Sequence, residues 1–134
     1  MVNQEGGFAG ERHHLFSGCQ LTSAPTTFID VVYARGTEQS VNDALGHFAQ
    51  DYVDDGCIIK AFQFVRDESH DSVGSVRVAT LDMMCRDKRL YLVLEAFPVE
   101  DEYYIIEGIG GNQAMAQYLI DSMASIIDSV VVVK

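Results

Sequence analysis

Val41, Leu45, Phe48 and Tyr52 recur at i, i+4, i+7 and i+11, the spacing that puts apolar side chains on one face of an α-helix. The stripe predicts a helix over about residues 40–55, with Ser40 as N-cap, Asp43 at the positive end of the helix dipole and Gly56 as the stop. Before it, "TTFIDVVYAR" (26–35) is rich in β-branched and aromatic residues and reads as a strand, and Leu15 to Leu21 reads as a shorter one, broken by Ser23-Ala24-Pro25. After it come four strand-like stretches, "CIIKAFQFVRDE", "SVRVATLDMMCRD", "RLYLVLEAFPVED" and "EYYIIEGIG", joined by polar turns of hairpin length. They predict an antiparallel meander. In its third stretch Leu90, Leu92 and Leu94 fall on one face and Tyr91, Val93 and Phe97 on the other, so both faces need cover, from helices or from a partner.

The end of the chain supplies a second helix. Gly110-Gly111 closes the last meander strand, Asn112 is placed to cap, and Met115, Leu119, Met123 and Ile126 form a stripe widened by Ile120 and Ile127. Leu119 is thus expected to point inward, and Gln117 outward. Val130 to Val133 favour strand over helix, so the chain is expected to leave the helix at Asp128-Ser129 and add a short final strand. The fold class that follows is α+β: an antiparallel sheet packed against two α-helices, with a short C-terminal strand. Residues 1–14, polar and Gly-rich, read as a flexible arm, and 15–134 as one domain.

This order of strand, helix, four-stranded meander, helix and short last strand resembles the PsbP/DcrB-like superfamily. The likeness covers roughly residues 27–134 and is carried by "FIDVVYARGTEQSVNDALGHFAQDY" and by "YYIIEGIGGNQAMAQYLIDSMASIIDSVVVV", with Ser129-Val130 where relatives place a Ser-containing short strand. The chain departs from that pattern in having no Pro-x-x-Trp type motif in its opening strands and no tryptophan at all. What the resemblance implies is a non-enzymatic binding protein, since relatives include photosystem accessory subunits, periplasmic lipoproteins, a Ran-binding import factor and chaperones of secretion effectors.

Charge narrows the partners. Twenty acidic against nine basic side chains give a net charge of -11, which repels phosphate backbones and anionic headgroups, so nucleic acid is not the expected partner. No apolar run reaches the roughly 18–20 residues of a membrane-spanning helix. With 48% hydrophobic and 22% charged residues the chain is of globular composition. The first residues lack the basic and apolar regions of a secretory signal, and Cys19, Cys57 and Cys85 are odd in number without CxxC spacing. Both point to a cytoplasmic protein with buried, unpaired thiols, whose folding needs neither disulfide nor metal.

No motif carries catalysis. His13-His14 with Cys19 lacks the third or fourth convergent ligand of a transition-metal site, and neither Cys57 nor Cys85 has a local motif that joins it to His47 or His70. The carboxylates of Asp54-Asp55 and Glu100-Asp101-Glu102 fall where solvated turns belong. "GIGG" at 108–111 lacks the spacing of a dinucleotide or phosphate loop and reads as a turn, so no cofactor is expected. One charge feature stands out: "RDKR" (86–89) gathers Arg86, Lys88 and Arg89, either as a solvated hairpin turn or as a docking point for an acidic partner. The expected function is binding of another protein, as chaperone or adaptor, through apolar sheet or helix surface, with a homodimer one form of it. Two other readings stand beside it: a small-molecule or lipid pocket between sheet and helix lined by Phe62, Phe64, Met83 and Met84, and a small enzyme of unrecognised type.

Overall fold

The computed structural model describes residues 10–17, 28–35, 39–100, 102–110 and 115–130, with side chains over 39–100, 102–110 and 118–130. Its elements in chain order are β1 (Gly10–Ser17), β2 (Phe28–Arg35), α1 (Val41–Asp54), β3 (Ile58–His70), β4 (Gly74–Cys85), β5 (Lys88–Val99), β6 (Glu102–Gly110) and α2 (Met115–Asp128). The six strands form one sheet in the order β1-β2-β6-β5-β4-β3, every neighbour antiparallel. The meander β3 to β6 is the expected one. β2 joins it beside β6, and the opening strand runs from Gly10 to Ser17, earlier than the Leu15–Leu21 expected, so the first strand takes residues 10–14 from the segment read as an arm. The expected strand over Val130 to Val133 lies outside the described residues, apart from Val130 itself, which follows a turn.

Local chemistry sets the bounds of α1. The Ser40 hydroxyl accepts from the Asp43 amide at 3.0 Å as an N-cap, and the amide of Gln39, one residue before the cap, donates back to the Asp43 carboxylate at 3.1 Å. At the other end Gly56, at φ +100°, takes the left-handed position after the cap. The Gly56 amide then reaches the Val53 carbonyl at 2.9 Å and the Cys57 amide the Tyr52 carbonyl at 3.0 Å, the bond pair of a Schellman stop. The chain is thereby aimed directly into β3.

Each helix covers one face. On one side Ala44, Leu45, Phe48 and Ala49 of α1 pack with Ala79, Leu81, Met83, Leu92, Leu94, Ala96 and Ile105. On the other, Leu119, Ile120, Met123 and Ile127 of α2 pack with Val76, Val78, Val93, Phe97 and Ile106. Strand alternation assigns the two sets: odd positions of β4 and even positions of β5 face α1, and their neighbours face α2. The two-sided demand of the third meander stretch is met in this way. Gly108 faces α2, where an added Cβ would stand 2.7 Å from Met123 Sδ and 3.1 Å from Leu119 Cδ2, so the missing side chain lets the helix sit close.

Cysteine chemistry departs from expectation. Cys57 and Cys85, expected as unpaired thiols, are joined in a disulfide. The register explains it: Ile58 faces Met84 across the β3–β4 ladder, so the residue before β3 comes opposite the last residue of β4. Cys19 lies outside the described residues.

Candidate functional site

β3 is an edge strand, and among the described residues it carries most of the exposed large apolar side chains. Of the six large apolar side chains exposed among the described residues, Val53, Ile58, Phe62, Phe64, Val65 and Tyr118, four belong to β3. Ile58 is 61% exposed and Phe64 58%. Two irregularities, between Ile59 and Ala61 and between Phe64 and Arg66, interrupt the ladder to β4. Bulges of this kind twist an edge away from ordinary strand addition, which shifts recognition from backbone to side chains.

The four residues expected to line one pocket do not converge. Phe62 and Phe64 lie opposite Leu81 and Ala79 on the α1 face, their rings 6.0 Å apart, and Met83 is fully buried in the same core. Met84, the next residue of the strand, points to the opposite face. Phe62 and Phe64 form instead an open aromatic ledge beside α1. Arg77 supports it: its guanidinium carbon stands 5.5 Å from the Phe64 ring centre, while its nitrogens donate to Asp67 at 2.8 and 3.0 Å and to Asn42 of α1 at 2.7 Å. The hydrogen bonds from Arg77 hold the Asp67 carboxyl below its ordinary pKa. A cleft of about 220 Å³ lies alongside, lined by Ser40, Val41, Asn42, Asp67, Ser75, Arg77 and Pro98. It is below the roughly 300–1,000 Å³ of typical ligand pockets, and its arginine and aspartate already satisfy each other.

The basic residues of the β4–β5 hairpin separate into two kinds. Arg86 and Asp87 form its two-residue turn with φ of 51° and 70°, the left-handed pair of a type I′ hairpin. Arg86 and Lys88 are exposed. Arg89 is committed: it donates to both oxygens of Asp82 at 2.9 and 2.8 Å and lies 5.3 Å from the Tyr91 ring centre. The same hydrogen bonds from Arg89 hold the Asp82 carboxyl below its ordinary pKa. Arg89 is therefore a structural cross-strand group. Since β5 runs from Lys88 to Val99, the hairpin and the acidic Glu100–Glu102 turn sit at opposite ends of the sheet, as the meander requires.

A second constellation lies under α2. Glu95 is fully buried, and neither carboxylate oxygen has a hydrogen-bond partner. Burial, reinforced by the nearby Glu68 charge, pushes its pKa up to about 7 against the pull of His70 and Arg66. Beside it the largely buried His70 ring of β3 contacts Asp128 of α2 through Nδ1 at 2.6 Å and Glu68 through Nε2 at 3.0 Å. Only the imidazolium can donate from both nitrogens. The hydrogen bond to Asp128 raises the His70 pKa, burial opposes it, and Glu68 adds to the rise. Burial works to raise Glu68 itself, but its hydrogen bonds from His70 and Arg66 prevail and leave it lowered. The other fully buried carboxylate, Glu107 on the α1 face, accepts a bond from the Tyr52 hydroxyl at 2.5 Å.

Sequence reasoning missed this cluster. Alternation places Glu95 between Val93 and Phe97 on a covered face, which was a usable signal; the meeting of His70 with Asp128, 58 positions apart, left none. Among the described residues no group of three or more His, Cys, Asp or Glu is arranged to hold a metal ion. No helix among them is long and apolar enough to cross a membrane. Against the models of known protein families and against curated proteins, the sequence gives no match.

Proposed function

We propose that this chain is a non-enzymatic binding module, an adaptor or chaperone, that takes up a segment of another protein along β3. The observation that carries the reading is the gathering of exposed apolar side chains on one edge strand, Phe62 and Phe64 side by side on the α1 face and Ile58 on the other, since exposed apolar surface on a folded domain marks an interaction site. Lys60, Arg86 and Lys88 lie at the Ile58 end of that strand, so the segment favoured is apolar with acidic residues at one end. Arg86 adds support: hairpin chemistry alone prefers Asn, Asp or Gly at a left-handed position, and a bulky cation there is a local conflict more common where a surface is used. The pattern-level likeness to the PsbP/DcrB-like superfamily, whose members mostly bind rather than catalyse, agrees with this reading. The Cys57–Cys85 disulfide moves the proposed compartment from the cytoplasm to one where disulfides persist.

The test pairs cross-linking and mass spectrometry in the native host with two variants. Phe62→Ser/Phe64→Ser should reduce recovery of the principal cross-linked partner at least tenfold at unchanged melting temperature, while Tyr118→Ser, exposed on α2, leaves recovery intact. Equal recovery with both variants would remove β3 as the binding edge. With the partner in hand, Arg86→Glu/Lys88→Glu should slow association on the order of tenfold at low salt and less as salt rises. Arg89 is left in place because reversing it would break the Asp82 pair and confuse docking with folding. A rate indifferent to both charge reversal and salt would leave the hairpin as a solvated turn.

A further inference from the structure

We propose that α2 is a proton-governed latch, seated on the sheet while Glu95 is neutral and His70 is charged, and loosened when both have lost their protons. Glu95 lies on β5 between Val93 and Phe97, and both of these pack against Leu119, Ile120, Met123 and Ile127 of α2. The carboxyl therefore sits beneath the helix, and its two oxygens find no donor. A neutral carboxyl tolerates such a place far better than an anion does.

The second half of the latch is at the other end of the contact. α2 has no basic residue in its last turn, where the negative end of the helix dipole and Asp128 both call for a cation. That cation is His70, supplied by β3 and held between Asp128 and Glu68. The Ser72 hydroxyl donates to the Ile127 carbonyl at 2.7 Å, adding a tie at the same corner that does not titrate. Without its second proton, His70 donates to only one of the two carboxylates, so either the tie to Asp128 of α2 or the one to Glu68 is given up.

Among the described residues, the charged and titratable groups on this side of the sheet are few. β3 contributes Lys60, which lies near Asp82, with Arg66, Glu68 and His70, and α2 contributes the exposed Tyr118, Asp121 and Asp128. Asp82 and Arg89 neutralise each other toward the hairpin end beside Tyr91, and Tyr104 with Glu102 closes the β6 end. Arg66 is bonded to Glu68 at 2.6 Å. No donor from any of these elements reaches the Glu95 oxygens.

Both protons act in the same direction. Glu95 and His70 each have a folded-state pKa above the ordinary value, so in each case the seated form binds the proton more tightly than the open form. The Glu95 contribution is present below its ordinary 4.5 and is lost as the pH rises to about 7. The His70 contribution is full below 6.5 and is lost as pH climbs through its raised value. Seating is therefore firmest near pH 5 and weakest above neutrality. What opens is one helix, because the meander beneath it is held by its own ladders and by α1 on the far face.

Hydrogen exchange on the intact protein tests this. With rates corrected for intrinsic chemistry, protection of α2 amides from Leu119 to Ile127 should fall at least tenfold between pH 5.5 and 8, while β4 and β5 keep theirs. Glu95→Gln, a permanent mimic of the neutral acid, should abolish most of the fall, and His70→Lys, a permanent cation, should reduce it. Glu95→Leu replaces the amide variant if that one folds poorly. In the wild type, the carbon-13 titration of the Glu95 carboxyl should share its midpoint with the loss of α2 protection. Protection independent of pH, an unchanged pH response in both Glu95 variants, or equal loss in β4 and β5 would each overturn the latch.

Discussion

Leu119→Asp is expected to cost the fold roughly 3–5 kcal/mol, the range for an uncompensated charge in a packed interior. Leu119 is fully buried and packs with Met123 and Ile127 against Val93, Phe97 and Ile106. A carboxylate there would lose its water, find no free donor, and stand in the same core as Glu95, whose two oxygens already lack one. The side chain of Gln117 lies outside the described residues, so Ser125, exposed on α2, is the better reference. Ser125→Asp should change stability by less than about 0.5 kcal/mol, as exposed substitutions usually do. Urea denaturation of the two variants at pH 5.5, where Glu95 is protonated, gives the comparison. Matching midpoints would mean that α2 does not pack along this stripe.

How far the sequence foretold this structure depends on whether the determining contact was local. α1 was legible in detail because its stripe, its Ser40 cap and its Gly56 stop all lie within seventeen residues of chain, and each acts on its neighbours. The double-sided sheet was legible from β5 alone, since alternating positions of one strand report on both faces. The four side chains expected together are divided for a related reason: Met83 and Met84 are adjacent in a strand, and adjacency in a strand means opposite faces. The outward row of β3 was harder, because its two bulges shift the alternation and leave no mark in composition. The ionic contact of β3 with α2 was not legible, since His70 and Asp128 meet only after the sheet and the second helix have assembled. Arg89 shows the same limit from the other side. It read as one of three equivalent basic residues until the hairpin register set it beside Asp82.

Replacing Cys57 and Cys85 by serine is expected to lower stability by about 3–4 kcal/mol, a value that follows from the chain entropy of cross-linking residues 28 positions apart. An odd cysteine number does not make the fold indifferent to reductant, because parity excludes only complete pairing and says nothing about one bridge among three thiols. The bond also has a local consequence. It ties the first residue ahead of β3 to the end of β4, at the corner where Ile58 is exposed and where β3, as the sheet edge, has a neighbour on one side only. Without it the corner should fray, and binding along β3 should weaken at its Ile58 end before global unfolding sets in. Urea denaturation with and without reductant, alongside the double variant, measures the effect; the unfolded chain of the reduced form is less restrained, so its m-value should rise as its midpoint falls. Thiol titration of the denatured, unreduced protein should find one reactive cysteine, Cys19, out of three. Three reactive thiols, or one midpoint for all three samples, would show that the bridge contributes nothing to the fold.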